Sequence, residues 1–192
     1  MLMLVAGLVV FLGVHSVRIV ADDWRTARIA TMGERAWKLV YTILSLIGFA
    51  LLVYGYGEAR QATTLLWQPP TWTRHVAAVL VLVAFVLVAA AYVPGTRIKS
   101  AVGHPMILGV KVWALAHLLA NGTVADVVLF GAFLAWAIVD YAASRRRDRA
   151  KGTTYPPGPP ARDAIAVVLG AVAWAVFAFW LHGPLIGVRP FA

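Results

Sequence analysis

The sequence contains no cysteine. Disulfides, thiolate-ligated haem, iron–sulfur clusters and zinc–thiolate sites are thereby excluded together. Charge is scarce as well: 13% of the 192 residues are charged, against 61% hydrophobic. A soluble domain is nearer one-quarter charged, with polar residues interrupting its apolar ones at every turn. Acidic residues are scarcest of all, 8 against 17 Lys and Arg, and none follows Asp163. What fills the space is apolar sequence, with a mean hydropathy of +0.80. Crossing ~30 Å of hydrocarbon takes about 20 helical residues, and runs of that order recur along the whole length. The expected architecture is an all-α integral membrane bundle of six transmembrane helices forming one domain over 1–192, with the remainder of the chain as loops.

The expected spans are about 1–20, 38–56, 74–93, 104–120, 123–143 and 163–181. The first reads as an uncleaved span with its amino end outside, because it lacks the basic leading region of a secretory signal and its positive charges, Arg18, Arg25 and Arg28, follow the apolar run. Pro94-Gly95 ends the third span, and Pro156-Pro157-Gly158-Pro159-Pro160 forms an extended linker before the sixth. Only Asn121-Gly122 separates the fourth span from the fifth. A glycine there is suited to positive φ, and so short a link makes the two helices antiparallel neighbours. No internal repeat is present, and no span is clearly discontinuous.

The loops after the first, third and fifth spans carry 13 Lys and Arg residues, and the opposite side carries 3, Arg60, Arg74 and Arg189. This asymmetry places both termini outside and the basic loops in the cytoplasm. The net charge of +9 is dispersed among these loops, which fits anionic lipid headgroups and argues against nucleic acid as a partner.

An ionisable group inside a span is costly unless it is paired or faces a wet cavity. On this topology the cytoplasmic half holds His15, Arg18, His104, Lys111 and Asp140, and the outer half holds His75, His117, Asp126 and His182. Arg18 and Asp140 lie close enough to the interface to snorkel or to cap a helix end. His75 and His182, at span ends, read as interfacial. Lys111 stands about 10 Å in from its helix end at 1.5 Å per residue, within reach of the interface or of Asp140 on the next helix. Without cysteine, histidine is the strong ligand available to a transition metal or haem iron. His104 and His117 are about 20 Å apart along one straight helix, too far to share an iron. By depth alone His15 pairs with His104, and His117 with His182 or His75; polar packing is the alternative to any metal site.

Two segments carry a resemblance to a known family. One is Phe11-Leu12-Gly13-Val14-His15-Ser16-Val17-Arg18. The other begins His104-Pro105-Met106-Ile107-Leu108-Gly109, passes through Lys111, Trp113, Ala114, His117 and Asn121-Gly122, and continues from Leu129 to Asp140. Together they resemble the NnrU family of bacterial membrane proteins, from the first span through the fifth. The resemblance implies a protein of the bacterial inner membrane, associated with nitrite and nitric oxide metabolism in denitrifying cells. It also implies kinship with 15-cis-ζ-carotene isomerase, a haem b membrane enzyme whose reduced haem promotes cis–trans isomerisation of a polyene. The positions matching its ligand histidines are His15 and His117, with His104 matching a further functional histidine. That enzyme's alternative cysteine ligand has no counterpart here.

The expectation is therefore a membrane haem b protein, with His15, His104 and His117 as ligand candidates and Lys111, Asp140 and Arg18 as supporting polar groups. Its partners would be the bilayer, a lipid-soluble polyene and denitrification proteins. Two other classes compete. The His104-Pro105…Gly109 stretch is similar to membrane methyltransferases that use S-adenosylmethionine, but those carry Arg before the His, where Gly103 stands, and later acidic residues that this chain lacks. A non-enzymatic assembly factor would use Arg145–Lys151 and the Pro-rich stretch for docking. Transport is less attractive, since the charged groups form no relay across the membrane.

Overall fold

In hydrocarbon a backbone has no water to satisfy its N–H and C=O groups, so an apolar run such as Leu2–Val20 has helix as its only open-chain solution. A computed structural model of the chain, described here for residues 1–191, carries five helices long and apolar enough to cross a membrane. They are α1 (Leu2–Val20), α3 (Glu34–Ala59, prolonged by a 3₁₀ turn to Ala62), α4 (Trp72–Tyr92), α7 (Val124–Lys151) and α8 (Pro160–Val176), the last continued to Ile186. Their outward faces are apolar: Leu46, Phe49, Val79 and Val168 all stand exposed. Helices that are apolar all round belong in lipid. The expected fourth span is α6 (Pro105–Ala120), whose 16 residues extend about 24 Å, short of a full hydrocarbon crossing.

Charged segments expected as loops are helical. Asp22–Met32 forms α2, which has Asp22 and Asp23 in its first turn, where the helix dipole favours acids, and is ended by Gly33 at φ 84°. Arg97–Val102 forms the short α5, with Thr96 Oγ1 accepting from the Lys99 N–H at 3.1 Å and Asp163 Oδ1 from that of Ile98 at 3.1 Å. The fifth span does not stop near Ala143. Nothing between Ser144 and Lys151 breaks a helix, so α7 runs on to Gly152, at φ 61°. There the Thr153 N–H returns to the Asp148 carbonyl at 2.9 Å and that of Gly152 to Arg149 at 3.4 Å, the paired bonds of a left-handed helix stop. The last span, expected to be continuous, contains a π turn at Phe177–Leu181 before the five-residue α9 (His182–Ile186).

The chain divides into two compact units. The first comprises residues 1–66 and 123–132. Here α1 and α3 are antiparallel and nearly touch along their backbones. A Cβ on Gly7 would lie 2.6 Å from the Leu52 nitrogen, one on Gly48 2.7 Å from that of Phe11, and one on Gly55 would strike Leu4. Small residues at such crossings let dispersion hold helices together where no hydrophobic effect operates. The second unit comprises residues 67–122 and, among the described residues, 133–191. In it α4 packs on both α6 and α8: Gly109 meets the Ala84 carbonyl and Val88, and Gly170 meets Val86.

Pro94-Gly95 ends α4 as expected, with Gly95 at φ 70°. Gly122 does not take the expected positive φ. Its requirement is space: a Cβ there would collide with the Trp67 carbonyl oxygen, while the Gly122 carbonyl accepts from the Trp67 N–H at 3.2 Å.

Candidate functional site

His15 lies in the penultimate turn of α1, in the first unit. Its Nδ1 stands 2.6 Å from the carbonyl oxygen of Phe11. A carbonyl only accepts, so Nδ1 carries the proton and the imidazole lone pair resides on Nε2. The Phe11 ring lies 4.3 Å from the imidazole centre and the Tyr41 ring of α3 meets it edge-on at 5.2 Å.

His117 repeats the arrangement in the last turn of α6, in the second unit. Its Nδ1 donates to the Trp113 carbonyl at 2.9 Å, and the Trp113 ring lies 5.0 Å from the imidazole. Trp113 is in turn met edge-on by Phe133 of α7 at 5.5 Å. Asn121 donates from both its backbone N–H and Nδ2 to the His117 carbonyl, each at 2.9 Å, fixing the end of the helix that carries the ring. In both histidines, hydrogen-bonding one ring nitrogen to a carbonyl orients the ring and fixes its tautomer, as the supporting partners of metal-ligating imidazoles do.

His104 has the opposite polarity. It stands at the N-cap of α6, and its Nε2 lies 2.9 Å from Asp148 Oδ2 of α7. The pair is largely enclosed, with His104 23% and Asp148 12% exposed at the side chain. Tyr155 donates its hydroxyl to the same carboxylate at 3.2 Å, and Arg145 Nη1 stands 3.6 Å away. Tyr141 and Tyr155 present edges to the imidazole at 6.4 and 5.9 Å, and Tyr141 donates to the Val102 carbonyl at 2.7 Å. His104 thus ties the start of α6 to the charged extension of α7. These contacts, with Trp113 meeting Phe133, run α6 and α7 antiparallel, as the two-residue link requires.

Among the supporting groups, Lys111 and Asp140 do not pair. The Lys111 ammonium lies 5.4 Å above the Tyr141 ring, a cation–π contact. Asp140 faces Arg147, two turns along α7, at 3.7 Å, and Ser144 bridges them, accepting from Arg147 at 2.6 Å and donating to Asp140 at 3.5 Å. The helical extension of α7 supplies this partner. Arg18 is exposed in the last turn of α1, a favourable place for a cation. His75 is exposed in the first turn of α4, and His182 donates through Nδ1 to the Val188 carbonyl at 2.6 Å.

Asp126, only 5% exposed, has a structural occupation. Its Oδ2 accepts from the Thr123 N–H at 3.0 Å and hydroxyl at 2.6 Å, while Thr123 Oγ1 accepts from the Asp126 N–H at 3.3 Å. This reciprocal box caps α7. Tyr56 of α3 donates to the remaining oxygen at 2.6 Å, a partner 70 residues away that no local pattern announces. Asp148 and Tyr155 are also absent from the expected set. The usable signal for Asp148 is its position as the lone acid within Arg145–Lys151.

Among the described residues no group of three or more His, Asp or Glu side chains is arranged to hold a metal ion.

Long apolar helices, outward apolar faces and histidines held inside two of the helices define a multi-pass helical membrane protein. Its family follows from comparison: the model of the NnrU protein family matches residues 3–190, and the chain belongs to that family. No curated protein and no solved structure matches it.

Proposed function

We propose that this chain is a haem b protein of the bacterial cytoplasmic membrane, with the Nε2 atom of His15 in the first unit and that of His117 in the second each offered, within its own unit, as an iron ligand. The observation that carries the reading is the twin hydrogen bond of Nδ1 to the carbonyl four residues earlier. Each ring is thereby held in the tautomer whose Nε2 lone pair a metal needs. His104 directs Nε2 to Asp148 and serves instead to anchor α6. Haem b, when bound, supplies a Lewis-acidic, redox-active iron. The residues of this chain fix the ring orientations, surround them with Phe11, Tyr41 and Trp113, and hold them in helices that water does not solvate.

The resemblance noted above supplies the reaction class, cis–trans isomerisation of a lipid-soluble polyene. Apolar outward faces let such a substrate arrive from the bilayer without crossing water. The same resemblance connects the chain to nitrogen-oxide metabolism, in which denitrification proteins would be its partners. The test is the absorption spectrum of detergent-purified protein from haem-replete cells, followed by incubation of the reduced protein with a cis-polyene and chromatography of the isomers. A Soret band and a shifted isomer ratio are expected. Colourless protein overturns the haem assignment, and a Soret band with an unchanged isomer ratio overturns the polyene.

A further inference from the structure

The helical end of α7 carries five cations, Arg145, Arg146, Arg147, Arg149 and Lys151, and the fold employs them unequally. Arg145 stands 3.6 Å from Asp148 and Arg147 3.7 Å from Asp140, and both carboxylates are largely enclosed. Arg146 and Arg149 are exposed, and neither side chain makes a hydrogen bond or ion pair among the described residues. Two guanidiniums of the run are thus spent inside the fold, and two face outward with no acid beside them.

Helical spacing decides what the outward pair lies next to. Counted back from Arg149 in steps of three and four, the positions are Arg146, Ala142, then Val139 and Ile138, then Ala135, and every one is exposed. Residues so spaced share one face, and all of these belong to the second unit. Lys151 is also exposed, but it falls on the opposite side of the helix at 100° per residue. The lipid-facing stripe of α7 therefore runs directly into two arginines. They stand one and two turns beyond Ala142, about 6 and 10 Å along the axis. A headgroup layer is roughly 5–8 Å thick, and helical side chains lean toward the N-terminus, here back toward the apolar stripe. Both guanidiniums reach the level of lipid phosphates.

We propose that this face of α7 binds one phospholipid of net negative charge, with its phosphate between Arg146 and Arg149 and an acyl chain along Ile138, Val139 and Ala142. Guanidinium groups match phosphate oxygens in geometry as well as charge. With no exposed carboxylate on the face, nothing receives the ammonium of a zwitterionic headgroup, so the lipid's net charge decides the preference. An acidic protein would meet the same guanidiniums but has no use for the apolar stripe that leads into them.

The test is native mass spectrometry of the full chain released from detergent, with phosphatidylglycerol or phosphatidylethanolamine of equal chain length titrated in. Wild-type protein is expected to bind its first phosphatidylglycerol roughly tenfold or more tightly than phosphatidylethanolamine, the weight of a hydrogen bond to a charged group. Arg146→Gln and Arg149→Gln are each expected to remove most of that preference, and Lys151→Gln to keep it. Soluble glycerophosphoglycerol and inorganic phosphate, at the lipid's concentration, are expected to leave the lipid bound. The exchanged side chains are exposed, and unaltered circular dichroism and elution position verify the fold. Absence of any preference in the wild type overturns the proposal and leaves the face to an acidic protein. Equal losses in all three variants overturn it as well, since attraction to net charge alone would then account for binding. Displacement by the soluble headgroup or by phosphate overturns the assignment to a lipid.

Discussion

His117 donates through Nδ1 to the carbonyl of Trp113, 2.9 Å away on the preceding turn, and His15 repeats the bond with Phe11 at 2.6 Å. In each case the carbonyl's owner is an aromatic residue whose ring flanks the imidazole. The geometry separates these two histidines from His104, which turns Nε2 to a carboxylate. Three histidines that look alike in sequence thus make two kinds of hydrogen bond.

His104 makes a structural contact in this fold. With Asp148 it joins the start of α6 to α7, and Tyr155 extends the link to the Pro-rich segment. Asp148→Asn removes the charge that His104, Tyr155 and Arg145 share. It is expected to cost about 1.5–3 kcal/mol, the range for a hydrogen bond to a charged group, and to open residues 153–159 to proteolysis. Thermal unfolding in detergent with timed limited digestion measures both, and His104→Ala should match it in the digestion.

The contact of α1 with α3 has no room for side chains at Gly7, Gly48 and Gly55. Gly48→Leu is expected to part the helices, costing about 1–3 kcal/mol or more through overpacking. Gly13→Ala is the control, since nothing lies within 4 Å of its added methyl, and helix propensity favours it by up to about 1 kcal/mol. Melting temperatures of the two variants should move in opposite directions.

Much of the fold was legible because hydrocarbon permits so little: apolar runs of bilayer length became helices, and Pro94-Gly95 ended one. The charged segments were not legible as helices. Their pattern is set by water and lipid headgroups, and α2, α5 and the end of α7 carry no apolar run of bilayer length to mark them. The histidines stood out in the sequence by residue type, but their hydrogen-bond partners did not. Asp148 is 44 residues from His104, and Tyr56 is 70 from Asp126, and no periodicity connects partners so distant. Gly122 was legible as a special position for the wrong reason, because a close approach by Trp67 leaves no trace in local sequence.

Topology can be tested on the native background, because the chain has no cysteine to remove. Six crossings with both termini outside are expected, α6 being the shortest. Single cysteines at Thr63 and Asn121 should react with an impermeant maleimide in intact cells, and one at Lys99 or Arg149 only after permeabilisation. Labelling of positions 99 and 121 from the same side would mean that α6 does not cross.

The assignment of the histidines is tested most directly by the Soret absorbance per protein of three purified variants, His15→Ala, His117→Ala and His104→Ala, beside the wild type. Loss or a large reduction of the band is expected for the first two, and a wild-type band, on a protein that melts earlier, for His104→Ala. A band that persists in both His15→Ala and His117→Ala, or that vanishes only in His104→Ala, would contradict the roles derived from their hydrogen bonds.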